Sequence, residues 1–184
     1  MYLIVGNTTM KPLFLTSFVC LLVGCSTYAV QRYSTYNNNQ FLLTRYADSK
    51  PVAFGLYYNS SDFNTYCSLN GNMVAGNGES YAEYIRSAFT KEFMMANLYS
   101  LSAHTLLSIK VNDVSLSSFS GTWTISLSII SSNGKSITAN NSFSYNTAYN
   151  ANARCFNAAF NFPYAVQGVI ENVLLNPDFA LLIK

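Results

Sequence analysis

TWTISLSIISSNGKSITANNSFSY, residues 122–145, is the stretch whose reading decides the fold. Trp123, Ile125, Leu127 and Ile129 alternate with Thr and Ser, the period-two signature of a strand with one covered face. Ser132-Asn133-Gly134-Lys135 then reads as a tight turn, because Asn-Gly accepts positive φ cheaply. Ile137, Ala139, Phe143 and Tyr145 fall on one face of a returning strand from about Ser136 to Tyr145. Upstream, over Thr105–Leu116, Leu107, Ile109 and Val111 alternate with Ser108, Lys110 and Asn112. Three such strands in succession make an antiparallel meander that needs a cover for its apolar face.

The cover comes from either side in the chain. Before the meander, Ser80 and Glu83 form a capping box, and Ala82, Ile85, Phe89, Phe93 and Ala96 recur at helical spacing. Asn97 stops that helix. After it, a helix starts near Ala151, with Cys155, Ala158, Ala159 and Phe162 on one side. Pro163 either kinks it or starts a second segment. Val166, Val169, Ile170, Val173 and Leu174 continue the stripe, and Asn176-Pro177 ends it before an apolar tail, Phe179–Ile183. Phe41–Tyr46 and Val52–Tyr58 read as two short strands with a turn at Asp48–Pro51. The order β-β-α-β-β-β-α predicts an α+β domain over residues 40–184: a mainly antiparallel sheet with two helices packed on one face.

Composition narrows the function. Half of the 184 residues are apolar and only 10% are charged. Such a chain builds a core and is not disordered. The formal net charge is +2, falling to +1 without residues 1–24, and no Lys/Arg cluster occurs. Binding to nucleic acid through phosphate neutralisation is therefore excluded as an expectation.

Residues 10–25, MKPLFLTSFVCLLVGC, have the layout of a secretory signal: Lys11 as positive flank, an apolar stretch from Pro12 to Val23, and small Gly24. The stretch is shorter than the roughly 17–25 apolar residues that span a bilayer. Met10 is a candidate start. Leu22-Val23-Gly24-Cys25 resembles the lipobox of bacterial lipoproteins. That resemblance implies cleavage between Gly24 and Cys25, with the Cys25 thiol carrying the lipid. An ordinary signal peptide with a chance cysteine and a buried N-terminal strand are the competing readings. Cys20 is then an apolar residue of the signal. Ser26, where retention at the inner membrane would favour Asp, implies the periplasmic face of the outer membrane. Residues 1–24 are thus expected as signal peptide and 25–39 as lipidated N-terminus and flexible tether. Such a tether has an r.m.s. reach of about 20 Å. Tyr28, Tyr33 and Tyr36 lie in it, as interfacial rings or as incidental linker residues.

Of the remaining cysteines, Cys67 and Cys155 are expected to form a disulfide in an oxidising compartment. Two buried thiols or a metal site compete. A metal wants three or four ligands, and the chain has one histidine, His104. No metal and no cofactor is expected.

His104 would have to serve any nucleophile–base arrangement, yet no Gly-x-Ser-x-Gly surrounds it. Glu83 and Glu92 read as helix cap and helix surface. Gly71, Gly76 and Gly78 read as turn residues, since no Gly-Lys-Ser/Thr follows them. Asn-x-Ser/Thr matches at Asn7, Asn59 and Asn140 carry no meaning in a bacterial host.

Tyr81-Ala-Glu-Tyr-Ile-Arg-Ser-Ala-Phe, the strand with Trp123, Ser131-Ser-Asn-Gly, Phe162-Pro-Tyr-Ala-Val-Gln and Pro177-Asp-Phe resemble small outer-membrane lipoproteins of the YajG-like kind. The resemblance spans about residues 52–183. The layout also looks like that of the lipopolysaccharide-assembly lipoprotein seated in an outer-membrane barrel, in architecture only. These likenesses imply no catalytic residues. The expected function is a non-catalytic envelope lipoprotein, held to the membrane by its N-terminal lipid and binding an outer-membrane or periplasmic protein or an envelope component. The alternatives are an envelope-acting enzyme and a purely structural surface lipoprotein.

Overall fold

A computed structural model of the chain describes residues 28–56, 63–68 and 70–184. The expected signal peptide, Cys20 and Cys25 lie outside the described residues, as do the sequons at Asn7 and Asn59. Four strands form one sheet in the order β1-β2-β3-β4: β1 (Val52–Leu56), β2 (Thr105–Ser117), β3 (Thr122–Ser131) and β4 (Ser136–Ser144). β2, β3 and β4 pair antiparallel, and β1 pairs parallel with β2. The sheet is thus mainly antiparallel with one parallel pair. That pair needs a long crossover, and the crossover contains helix α2 (Tyr81–Met95).

The meander forms as its alternation predicts. Trp123, Ile125, Leu127 and Ile129 are fully buried, and the Thr and Ser between them are half-buried on the other face. In β2 the inward set is Leu107, Ile109 and Val111, then Val114 and Leu116. A register shift between Val111 and Asp113 accommodates this change of parity, since an extra residue re-aims every side chain beyond it. At the β3–β4 turn only Gly134 takes positive φ, +84°. The Ser131 amide bonds to the Lys135 carbonyl across a three-residue loop, the form that places a glycine in the left-handed position after a type I turn.

Both expected helices are present. In α2 the Ser80–Glu83 capping box closes in both directions, and Asn97 leaves the helix at φ +58°. The second, α3 (Ala151–Leu175), runs unbroken through Pro163. Its start is capped by the Asn150 side chain, which accepts from the amides of Asn152 and Ala153. Both pack on the apolar face of the sheet. Phe162 of α3 meets Trp123 edge-on at 4.8 Å between ring centroids, and the Trp123 indole N–H donates to the Ala158 carbonyl at 2.9 Å. The apolar tail forms a short helix α4 (Phe179–Leu182), whose Phe179 is buried beside Phe93.

Two expectations fail at the N-terminal end. Phe41–Tyr46 is not a strand. Asn37–Leu43 is a helix, α1, followed by a 3₁₀ turn, Thr44–Tyr46. A short apolar run fits either element, and here Leu42 and Leu43 are buried while Phe41 points outward. Nor is the stretch expected as a tether free of the body, as far as it is described. From Tyr28 to Tyr36 the chain is packed, with Val30 and Tyr33 buried.

Candidate functional site

Tyr28–Tyr46 forms a strap laid over α2 and α3, and the strap is where the molecule's unusual chemistry collects. It begins as a one-bridge strand: the Val30 amide donates to the Val74 carbonyl, and the Val74 amide to the Tyr28 carbonyl, each at 3.0 Å. The Gln31 amide then donates to the Ala159 carbonyl of α3 at 3.2 Å. Pro163 explains that bond. In an α-helix Ala159 would receive the amide of residue 163, and proline has none. The strap supplies the missing donor.

Glu92, expected on the helix surface, is fully buried. Its carboxylate is the strap's anchor. Tyr33 donates its hydroxyl to Oε1 at 2.5 Å, the Tyr36 amide donates to the same oxygen at 2.9 Å, and Asn39 Nδ2 reaches it at 3.5 Å. Gln40 donates its side-chain amide to Oε2. All four donors are neutral. A buried carboxylate is tolerated when its lone pairs are met this fully. Burial, reinforced by the adjacent Glu92 charge, pushes the Tyr33 hydroxyl far above its usual range, so it remains a donor. Sequence spacing held a signal for this. Glu92 is seven residues after Ile85 and three after Phe89, on the apolar stripe rather than opposite it.

α3 holds the other side of the strap. Gln167 donates to the Ser34 carbonyl at 3.0 Å and accepts from Asn39 through its own backbone carbonyl at 3.2 Å. Asn38 donates to Glu171 at 2.7 Å. Beside the strap lies a polar pocket of about 300 Å³ lined by Arg32, Glu79, Tyr84, Ser87 and Lys91. Burial raises the Glu79 carboxyl, against the pull of Lys91. Tyr84 donates its hydroxyl to the Gln31 carbonyl at 2.7 Å, so one wall of the pocket is committed to holding the strap.

At the strap's beginning, the Tyr28 hydroxyl donates to Asn152 in the first turn of α3 at 3.1 Å. The neighbouring Cys67 and Cys155 are joined as a disulfide, with sulfurs 2.07 Å apart. Arg154 ties the loops of this end together. Its guanidinium donates to Ser68, Ala148 and Tyr149, and lies 4.3 Å above the Phe119 ring.

The other residues singled out in the sequence lie apart. His104 is exposed at the start of β2, beside a shallow depression whose described lining includes Lys50, Ser100, Ser102 and Thr105 but no carboxylate. Glu83 serves the cap, and the Ser80 amide and hydroxyl hold its carboxyl below the usual range. Gly71 and Gly78 turn the chain at φ +90° and +73°. No group of three or more His, Cys, Asp or Glu side chains comes together among the described residues. Among them, too, no helix is long and apolar enough to cross a membrane. No protein-family model and no curated protein matches the chain.

Proposed function

We propose that this protein is a lipid-anchored, non-catalytic lipoprotein of the bacterial cell envelope, working at the periplasmic face of the outer membrane by binding a protein or envelope component. The sequence supports this through the lipobox-like Leu22-Val23-Gly24-Cys25 and the signal-like stretch before it. The observation that carries the reading in three dimensions is the position of Tyr28. It is bonded to the body of the domain, and only two residues separate it from Cys25. Three residue steps span at most about 11 Å. An acylated Cys25 therefore holds the domain against the lipid surface rather than at the end of a long leash. Multiple acyl chains, at roughly 0.8 kcal/mol per buried methylene, make such an anchor stable.

Three side chains singled out for acid–base chemistry are engaged elsewhere or isolated, which supports a binding role. Glu92 is spent on the strap, Glu83 on a helix cap, and His104 stands in the open. The test is intact-mass measurement on protein extracted from membranes, alongside a Cys25→Ser variant. The expected result is a chain beginning at residue 25 with added acyl mass, and loss of membrane association in the variant. Recovery of a water-soluble protein that retains residues 1–24 and an unmodified Cys25 would overturn the proposal.

A further inference from the structure

We infer that the end of the domain bearing Phe119 and Tyr149 lies in the interfacial layer of the membrane, with those rings among the lipid headgroups. The inference rests on the lipid-anchor reading and adds to it a face and an orientation. Phe119 sits at the tip of the β2–β3 hairpin with 72% of its surface exposed, and Tyr149, just before α3, is fully exposed. Neither has an apolar cover, yet neither is loose. Arg154 stacks on Phe119 and donates to the Tyr149 carbonyl. The hairpin tip is fixed by Gly121, at φ +68°, where a Cβ would meet the Tyr145 carbonyl at 2.3 Å. Its Ser118 carbonyl also accepts from Thr147 at 2.9 Å.

What identifies the occupant is where the chain outside the described structure joins it. The preceding 27 residues lead into Tyr28, whose hydroxyl bonds to Asn152, two residues from Arg154 on the same turn of α3. Cys25 is thus tethered to this end and not to another. The far end of the sheet, where Leu101 is also exposed, lies the length of β2 away, about 40 Å for its 13 residues. Aromatic rings held beside a guanidinium suit the headgroup layer, where the ring rests at the apolar boundary and the cation meets lipid phosphate. Together they give the anchored domain one fixed face toward the bilayer.

The experiment uses the acylated protein in vesicles of phosphatidylethanolamine and phosphatidylglycerol whose acyl chains carry bromine, a short-range quencher of indole emission. Phe119→Trp, Tyr149→Trp and Leu101→Trp are compared, with the buried native Trp123 as constant background. Residues seated at the depth of the headgroup–acyl boundary should be quenched at least about twofold more than the distal site. We expect this, with a blue shift, for Phe119→Trp and Tyr149→Trp. Equal quenching at all three positions, or stronger quenching for Leu101→Trp, in protein shown by mass to be acylated, would overturn the orientation and leave the anchor intact. Protein that carries no lipid and does not float with vesicles would overturn the anchor and the orientation with it.

Discussion

The meander β2–β4 and the strap Tyr28–Tyr46 are both essential to the same core, yet they are held by different physics. The meander is a surface of alternating apolar side chains pressed onto α2 and α3, and burial of area stabilises it. The strap also buries Val30, Tyr33, Leu42 and Leu43, but its polar fastening sets it apart. It is held by hydrogen bonds to one buried carboxylate, to side chains of α3, and to a carbonyl that a proline left free. Apolar burial is non-directional and tolerates neighbours that shift. A buried polar network is satisfied or it is costly. The two regions should therefore fail in different ways.

The largest effect is expected in the meander. Trp123→Ala removes the centre of the aromatic cluster and the indole bond to Ala158, and should cost about 3–5 kcal/mol. Urea denaturation reads this as a shift of the whole transition. The disulfide joins the loop after β1 to α3 over 88 residues. Replacing both Cys67 and Cys155 with Ala should cost about 2–4 kcal/mol, again as a global loss.

Glu92→Ala should separate the regions. It leaves the Tyr33 hydroxyl buried without its acceptor and takes one acceptor each from the half-buried Tyr36 amide and Gln40 side chain, a loss of about 2 kcal/mol. Hydrogen exchange should show it first as lost amide protection over 28–46 while β3 stays protected. Equal loss in both regions would mean that the strap is not a distinct unit. Pro163→Ala should be smaller still, about 1 kcal/mol or less of net change. The restored helix amide competes with Gln31 for the Ala159 carbonyl, so exchange at Gln31 should quicken while α3 gains protection.

The smallest effect is a pH dependence at the Ser80 cap. The folded state holds the Glu83 carboxyl below its unfolded value near 4.5. Its contribution is present above that value and is lost as pH falls through the lower, folded one. Comparing urea midpoints at neutral pH and about pH 3, Glu83→Gln should remove a little of the acid sensitivity and leave the rest.

This division also explains what could be read from the chain. Alternation, caps and helical stripes are local patterns, so β2, β3, β4, α2 and α3 were legible almost to the residue. Asn97 ended its helix as its type suggests. The strap was not legible, because its partners are far away in sequence. Asn38 and Asn39 look like linker residues until Glu171 and Gln167 are opposite them, 133 and 128 residues on. Phe41–Leu43 lacked the length to declare a helix. Glu92 lay on an apolar stripe, and its charge argued for solvent until a set of donors was found to meet it. The parallel placement of β1 followed from the crossover through α2 rather than from anything within Val52–Leu56.

The proline-vacated carbonyl in α3 bears also on the order of events as the chain is made. A polypeptide grows from its amino end, yet the strap's acceptors on α3 are among the last residues to emerge. The earliest portion of the domain must wait, unsatisfied, for the latest. Through that interval residues 28–46 have no seat to occupy. Once α3 coils and offers Ala159, the seat fills, and the strap is closed by the last long helix.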